Sequence, residues 1–390
     1  MGIDVKLAER LGQLPPYLFA EIDAMKQKAI KEGMDIINLG VGDPDLPTPP
    51  HIVESLKKAA SDPKNHHYPS YVGMLSFRES IANYYKRSRN IDLDPVTEVQ
   101  SLIGSKEGVG HTPLAFVDPG DYVLIPDPAY PVYESGTYFA GGIPYFMPLL
   151  AENGFMPDLD AIPRDIAKKA KLMFINYPNN PTAAICDDAF YGKVVDFAKE
   201  YNIIVVHDAA YADVTFDGYR APSFLETPGA MDVGVEMYSL SKTYNMTGWR
   251  IAAVMGNKDI VAGLGKIKTN LDSGAFEPIQ YAAITALESS QDCVKENNKI
   301  FQDRRDVLVE GLNRIGWTVD KPKSSFYVWI PIPEGTKSSE VTKRLIQEAG
   351  IVTTPGNGFG ASGEGFVRMT ITTSKERLEE AVDRVAKIQF

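Results

Sequence analysis

Between Lys171 and Asp208 the chain runs apolar strand, helix, apolar strand, and this alternation restricts the available architectures more than any other feature. Lys171-Leu-Met-Phe-Ile-Asn176 is a short apolar run of the kind that fills a strand covered on both faces. Tyr177-Pro-Asn-Asn-Pro-Thr182 ends it with turn residues, helical spacing occupies Asp187 to Glu200, and Asn202-Ile-Ile-Val-Val-His-Asp208 is a second apolar strand. Strands joined through a crossover helix lie parallel. The pattern therefore predicts an α/β fold with a mainly parallel sheet, in which ligands gather at the carboxyl ends of the strands. Asn180 and Asp208 stand at two such ends.

A second stretch, Met237 to Arg250, carries the most reactive residue. It begins with the alternation of a strand and breaks at Lys242, before the turn formers Asn245 and Gly248. The reading places Lys242 at a strand end, Ser239 and Ser241 on one strand face, and Arg250 a short turn further on. A lysine in a partly enclosed site loses hydration of its charged form, so its pKa falls and its amine becomes a nucleophile towards an aldehyde. Ser239, Ser241 and Arg250 together suit a phosphate, with the guanidinium as bidentate donor. Taken alone, Ser-x-Ser-Lys is an ordinary surface strand end, so the reading depends on partners elsewhere.

Several loops supply them. Gly40-Val-Gly-Asp-Pro-Asp-Leu-Pro-Thr-Pro49 is an ordered loop rich in special backbone residues. Ser101-Leu-Ile-Gly-Ser-Lys-Glu-Gly108 opens an apolar helix, and a helix N-terminus favours a phosphate, which makes Ser105 and Lys106 candidates. The loop lacks the Walker A spacing. After a strand at Tyr122 to Ile125, Tyr130 stands at the mouth of the next helix. Arg368 interrupts the apolar strand Phe366-Val-Arg-Met-Thr-Ile371, which is costly unless the guanidinium meets an anion.

Ser239-Leu-Ser-Lys242 through Gly248-Trp-Arg250, with these loops in this order, resembles the fold-type I pyridoxal 5'-phosphate (PLP) aminotransferases of class I/II. The resemblance implies a large domain with a mainly parallel seven-stranded sheet sandwiched by helices, plus a smaller α/β C-terminal domain. We expect an N-terminal arm and part of the small domain at 1–45, the PLP-binding domain at 46–285 and the small domain at 286–390. It further implies that Lys242 holds the cofactor and moves the α-proton, and that Asp208 keeps the pyridine nitrogen protonated. Tyr130 would stack on the ring, while Asn180 and Tyr211 would bond its phenolic oxygen from opposite sides. Arg368 would bind the substrate α-carboxylate, which Gly42 would meet through its backbone. Tyr68, in a Tyr-x-x-x-x-Gly loop, would reach the cofactor phosphate of a second subunit, giving a homodimer with shared sites.

Substrates would be amino acids and 2-oxo acids. Aspartate and glutamate call for a second cation, usually arginine; Lys268-Thr-Asn-Leu-Asp-Ser-Gly-Ala-Phe276 offers Asn270, Asp272 and Ser273, with Lys266 and Lys268 nearby, a lining that suits a zwitterionic distal group. This segment, the loop at 40–49 and Leu14-Pro-Pro-Tyr-Leu-Phe-Ala-Glu-Ile22 resemble the LL-diaminopimelate aminotransferases, and Tyr17 joins the substrate candidates. Tyr71 stands where some of those enzymes carry an acid. The alternatives are an aspartate, aromatic or alanine aminotransferase of broad specificity, or an aminotransferase-like regulator, against which Lys242 and Asp208 speak.

Other signals are bland. A net charge of −11 with no basic block speaks against nucleic acid. Cys186 and Cys293 form no disulfide framework, which fits a reducing cytoplasm, and no apolar run reaches membrane-spanning length. The N-terminus shows neither a secretory h-region nor a myristoylation signal. His66-His67 lacks a third metal ligand at suitable spacing, and Asn245-Met-Thr247 matches a glycosylation acceptor only formally. Gly358-Phe-Gly360-Ala-Ser-Gly363 runs straight into a strand, with no βαβ unit to make it a dinucleotide site.

Overall fold

The computed structural model describes residues 2–14 and 18–390. Twelve strands are named in chain order: β1 (Ile37–Asn38), β2 (Val99–Leu102), β3 (Tyr122–Asp127), β4 (Ile143–Pro148), β5 (Ala170–Ile175), β6 (Ile204–Asp208), β7 (Gly234–Ser239), β8 (Ala252–Gly256), β9 (Tyr327–Pro331), β10 (Ile351–Val352), β11 (Thr354–Pro355) and β12 (Phe366–Thr370). Seven of them form the main sheet in the order β2-β8-β7-β6-β5-β3-β4. Only β8 runs against its neighbours, pairing antiparallel with both β2 and β7. The sheet is helix-covered on both faces, which is why β5, β6, β7 and β8 are apolar runs rather than alternating ones.

Two cores flank this sheet. Met173, Ile175, Val205 and Ala253 face one side, with Phe77, Tyr85, Tyr191, Val194 and Ala282 from the helices Leu75–Arg89, Asp188–Tyr201 and Glu277–Glu288. Leu172, Phe174, Val206, Met237 and Val254 face the other, against Val109, Tyr133 and Leu264. Neighbouring residues of one strand thus belong to opposite cores, as the pleat demands.

A third core gathers the chain's two ends. Val328 and Ile330 of β9 and Val367 and Met369 of β12 pack with Leu308 and Leu312 of the helix Asp292–Arg314, Val341 and Leu345 of Ser338–Ala349, and Leu378 and Val382 of Lys375–Val385. Ile37 and Leu39 join it, because β1 pairs parallel with β10. The three-stranded sheet β11-β12-β9 is antiparallel throughout. Arg368 on β12 lies opposite Trp329 and Thr354, so the small sheet presents it towards the loop after β1.

One local expectation fails. The strand before Lys242 stops at Ser239, and Leu240–Thr243 is a single helical turn. Ser239 caps that turn, its hydroxyl accepting from the Ser241 N–H at 3.2 Å. Ser241 therefore lies beyond the strand rather than on a face shared with Ser239. Serine competes well for free backbone donors where a strand ends, and alternation alone does not reveal that it has begun a cap.

Candidate active site

A cavity of about 850 Å³ opens where strand ends of the large sheet meet the small sheet. Gly42, Ser105, Lys106, Tyr130, Asn180, Asp208, Tyr211, Ser239, Ser241, Lys242, Arg250 and Arg368 all line it. Of the other residues singled out in the sequence, Tyr68 is 89% exposed and outside the cavity, and Tyr17 lies outside the described residues.

The Lys242 Nζ donates to the Gly42 carbonyl at 2.7 Å. Burial pulls its pKa down to about 8; Arg368 and Arg250 push the same way and Asp43 opposes them. A fraction of the amine is thus neutral near pH 7. Gly42 is required by space, since a Cβ there would sit 2.3 Å from the Tyr327 hydroxyl.

Asp208 ends β6 and is buried. Tyr133 donates its hydroxyl to Oδ2 at 2.9 Å, and the Ala210 N–H reaches Oδ1 at 3.3 Å. Burial raises the carboxyl above the usual range, with Tyr133 and His207 opposing. A cationic hydrogen-bond donor beside it would offset that burial. Asn176 fixes the backbone on both sides: its Nδ2 donates to the Asp208 carbonyl at 2.6 Å and its Oδ1 accepts from the Asn180 N–H at 2.7 Å.

On the opposite face of the sheet, His207 pairs through Nδ1 with Glu236 at 2.9 Å. Burial works against an ionised Glu236, but His207, Tyr85 and Arg89 outweigh it and hold the carboxyl below its usual range. A buried charge with several partners is the arrangement that keeps such a pair tolerable.

Arg368 is buried, donating from Nη1 to Asn180 Oδ1 at 2.8 Å and from Nη2 to the Gly40 carbonyl at 2.7 Å. Its Cζ lies 4.2 Å from the Tyr327 ring centre and 4.5 Å from that of Phe359. Two rings thus clamp the fork, and its Nε is buried without a hydrogen-bond partner among the described residues. Tyr211 joins the same cluster through a 2.6 Å bond between its hydroxyl and that of Tyr327.

The anion end is built on Gly104, with φ +107°, where the helix Ser105–Phe116 starts. A Cβ at 104 would lie 2.0 Å from Arg250 Nη2, so only glycine lets the guanidinium come up against the free amides of this helix end. Behind it, Glu107 Oε2 accepts the Ile103 N–H at 2.7 Å while Oε1 pairs with Lys268 Nζ at 2.9 Å. Asp272 binds the same Nζ at 2.8 Å.

That cluster engages the segment from which a distal lining was expected. Lys268 is fully buried between two carboxylates, Asn270 bonds the Lys266 carbonyl, and neither they nor Asp272 and Ser273 line this chain's cavity. Helical spacing turned the segment away: Asp272 is four residues after Lys268, so it closes an ion pair along the helix. The Gly358–Gly363 segment is held to the large domain by Ser362, which donates its hydroxyl to Asp127 at 2.9 Å, and it contributes Phe359 to the cavity.

Tyr133, Asn176, Tyr327 and Phe359 went unnoticed in the sequence. Tyr133 had a signal, three residues after Tyr130 on the same helix start, whereas Tyr327 and Phe359 reach the cavity only through tertiary packing.

A cavity with a lysine of lowered pKa, a buried carboxylate and a helix-end anion cradle at strand ends is a site for covalent amine chemistry. The sequence pattern described as aminotransferase class I and II matches residues 34–385, and the chain belongs to that family. It is 59% identical to the LL-diaminopimelate aminotransferase of Syntrophobacter fumaroxidans, over 98% of this chain and 99% of that one. With the protein of the same name from Aquifex aeolicus it shares 55% over 99% and 100%. Apo-BacF from Bacillus subtilis superposes with a TM-score of 0.95 at 39% identity, covering 99% of this chain and 98% of that one. A double mutant of the Thermus thermophilus aspartate aminotransferase gives 0.92 at 28%, covering 98% and 100%.

Proposed function

We propose that this aminotransferase uses pyridoxal 5'-phosphate to move an amino group from LL-diaminopimelate to 2-oxoglutarate, giving tetrahydrodipicolinate and glutamate in lysine biosynthesis. The observation that carries the substrate assignment is identity of 51–59% over nearly the whole chain with relatives of that name. At lower identity the structural neighbours include an aspartate aminotransferase, so broad specificity on this scaffold is the second reading.

The residues present fit the cofactor. The Asp208 carboxyl, raised by burial, gains from a cationic ring nitrogen beside it. The Gly104 gap, Arg250, Ser105, Lys106, Ser239 and Ser241 suit a phosphate. Pyridoxal phosphate supplies an aldehyde that takes up amines and a ring that draws electron density from the substrate Cα.

Lys242 is the amine that would hold the cofactor, and when free it would carry the proton to and from the substrate Cα. Asp208 would keep positive charge at the ring nitrogen, with Tyr133 and Asn176 fixing the direction of its carboxylate. Tyr130 would lie against the ring, and Asn180 and Tyr211 would steady its phenolic oxygen. Arg368, held flat between Tyr327 and Phe359, takes the α-carboxylate bidentately. Gly42 would meet that carboxylate through its backbone N–H, since a carbonyl oxygen cannot donate to it. Tyr68 serves the phosphate of a second subunit in a homodimer, which its exposure supports. Both cysteines are unpaired, in keeping with a cytoplasmic enzyme.

Absorbance spectra test the reading. Adding LL-diaminopimelate to PLP-loaded protein should convert the lysine-bound chromophore to the pyridoxamine form, whereas L-aspartate should not. Conversion by aspartate alone would retain the enzyme class and discard the substrate.

A further inference from the structure

The charged residues that line the cavity nearly all have work assigned. Lys242 is the reactive amine, Arg368 takes the α-carboxylate, Lys106 and Arg250 face the phosphate, and Asp208 the ring. Among the described residues two remain, Asp23 and Lys26.

Both lie on the helix Leu18–Lys31, and Lys26 Nζ pairs with Asp23 Oδ1 at 2.6 Å. Ile22 and Ala29 of the same helix are buried in a small core with Ile346 and Val352. Ile22 and Val352 line the cavity too, so apolar packing fixes this helix at the cavity wall and sets its charged pair beside the opening. The Lys26 side chain is only 24% exposed despite its length, whereas that of Asp23 is 58% exposed, so the lysine is the more enclosed partner. Among the described lining residues Asp23 and Asp208 are the acids, and Asp208 is spent on the ring.

We propose that Asp23 and Lys26 form the subsite for the distal end of the substrate, Asp23 accepting from the distal ammonium and Lys26 donating to the distal carboxylate. This rests on the diaminopimelate reading. The end of diaminopimelate that does not react carries one positive and one negative group on a single carbon. A fixed pair of opposite charges complements both and adds no net charge, whereas a lone arginine would leave the ammonium without a partner. Binding replaces one ion pair at the cavity wall by two across the substrate. The pair also has polarity. Inverting the distal stereocentre exchanges ammonium and carboxylate, so the same two side chains favour the LL isomer over the meso isomer. Glutamate, with a distal carboxylate alone, uses Lys26 and not Asp23.

The test is the amino-donor half-reaction, followed by absorbance with LL-diaminopimelate, meso-diaminopimelate and L-2-aminopimelate, which lacks the distal ammonium. Asp23→Asn should lower kcat/KM about tenfold for LL-diaminopimelate and leave L-2-aminopimelate within about twofold. Lys26→Met should lower both by about tenfold. The double reversal Asp23→Lys with Lys26→Asp keeps a helix ion pair at the same spacing, so a merely structural role would restore wild-type behaviour. A recognition role instead narrows or inverts the preference for LL over meso. Equal losses for all three compounds in Asp23→Asn, unchanged LL-diaminopimelate turnover in the single variants, or a wild-type LL-to-meso ratio in the reversed protein would overturn the assignment of the pair. Wild-type protein that ignores LL-diaminopimelate would instead overturn the functional reading on which it rests.

Discussion

Lys242 shows how burial turns a common residue into a reagent. With its pKa near 8, the amine is mostly ammonium at pH 7 and becomes nucleophilic as pH rises through about 8, more than two units before an exposed lysine. The rate at which apoprotein takes up pyridoxal phosphate should therefore climb with a midpoint near pH 8; a midpoint near that of an exposed lysine would contradict the enclosed site. Lys242→Ala should lose transamination by about 10²- to 10⁴-fold or more, and with it the absorbance of the lysine-bound chromophore. Arg368→Lys keeps the charge but loses the planar fork between two rings. It should reduce kcat/KM for amino acids by about 10- to 100-fold, read in steady-state kinetics, since a bond to a charged group contributes about 1.5–3 kcal/mol. These residues were legible because each is chemically conspicuous where it stands: a lysine after Ser-x-Ser, an aspartate ending an apolar strand, an arginine inside one. Tyr327 and Phe359 were not, since aromatic residues in apolar surroundings look alike whether they fill a core or clamp a guanidinium.

At the scale of elements, the helix Ser105–Phe116 depends on a support behind its first turn. Glu107 ties the Ile103 N–H to Lys268, and Lys268 ties Asp272 at the end of another helix. Lys268→Met would leave two buried or half-buried carboxylates without their cation, at about 3–5 kcal/mol, and the urea midpoint should fall accordingly. The same change should weaken retention of pyridoxal phosphate in the apoprotein, because the loop carrying Gly104 loses an anchor. Periodicity located elements to within a few residues: the helix expected over Asp187 to Glu200 runs Asp188–Tyr201. It failed after Ser239, where a side-chain cap began a helical turn that alternation does not encode. Nor does residue type alone reveal that Lys268 and Asp272 close on each other at the end of one helix.

For the whole molecule, Tyr68, Tyr71, Val72, Leu75, Phe276 and Tyr281 are exposed apolar side chains, and in the proposed homodimer a second copy would cover surface of this kind. Sedimentation should give twice the 42.9 kDa chain mass. Mixing Lys242→Ala with Tyr68→Phe protein after dissociation should yield hybrid dimers with one intact site, and so recover activity above that of either parent; no recovery would sink the shared-site arrangement. The α/β class, the parallel sheet and the reactive residues that gather in the cavity were readable from the chain alone, because strand period, crossover length and residues at strand ends are local properties. The pairing of β1 with β10 is a product of tertiary packing, and it brings the Gly40–Gly42 loop under Arg368 and the helix Leu18–Lys31 to the cavity wall. Contacts between residues more than 300 positions apart depend on which apolar faces find each other, and no local pattern carries that choice.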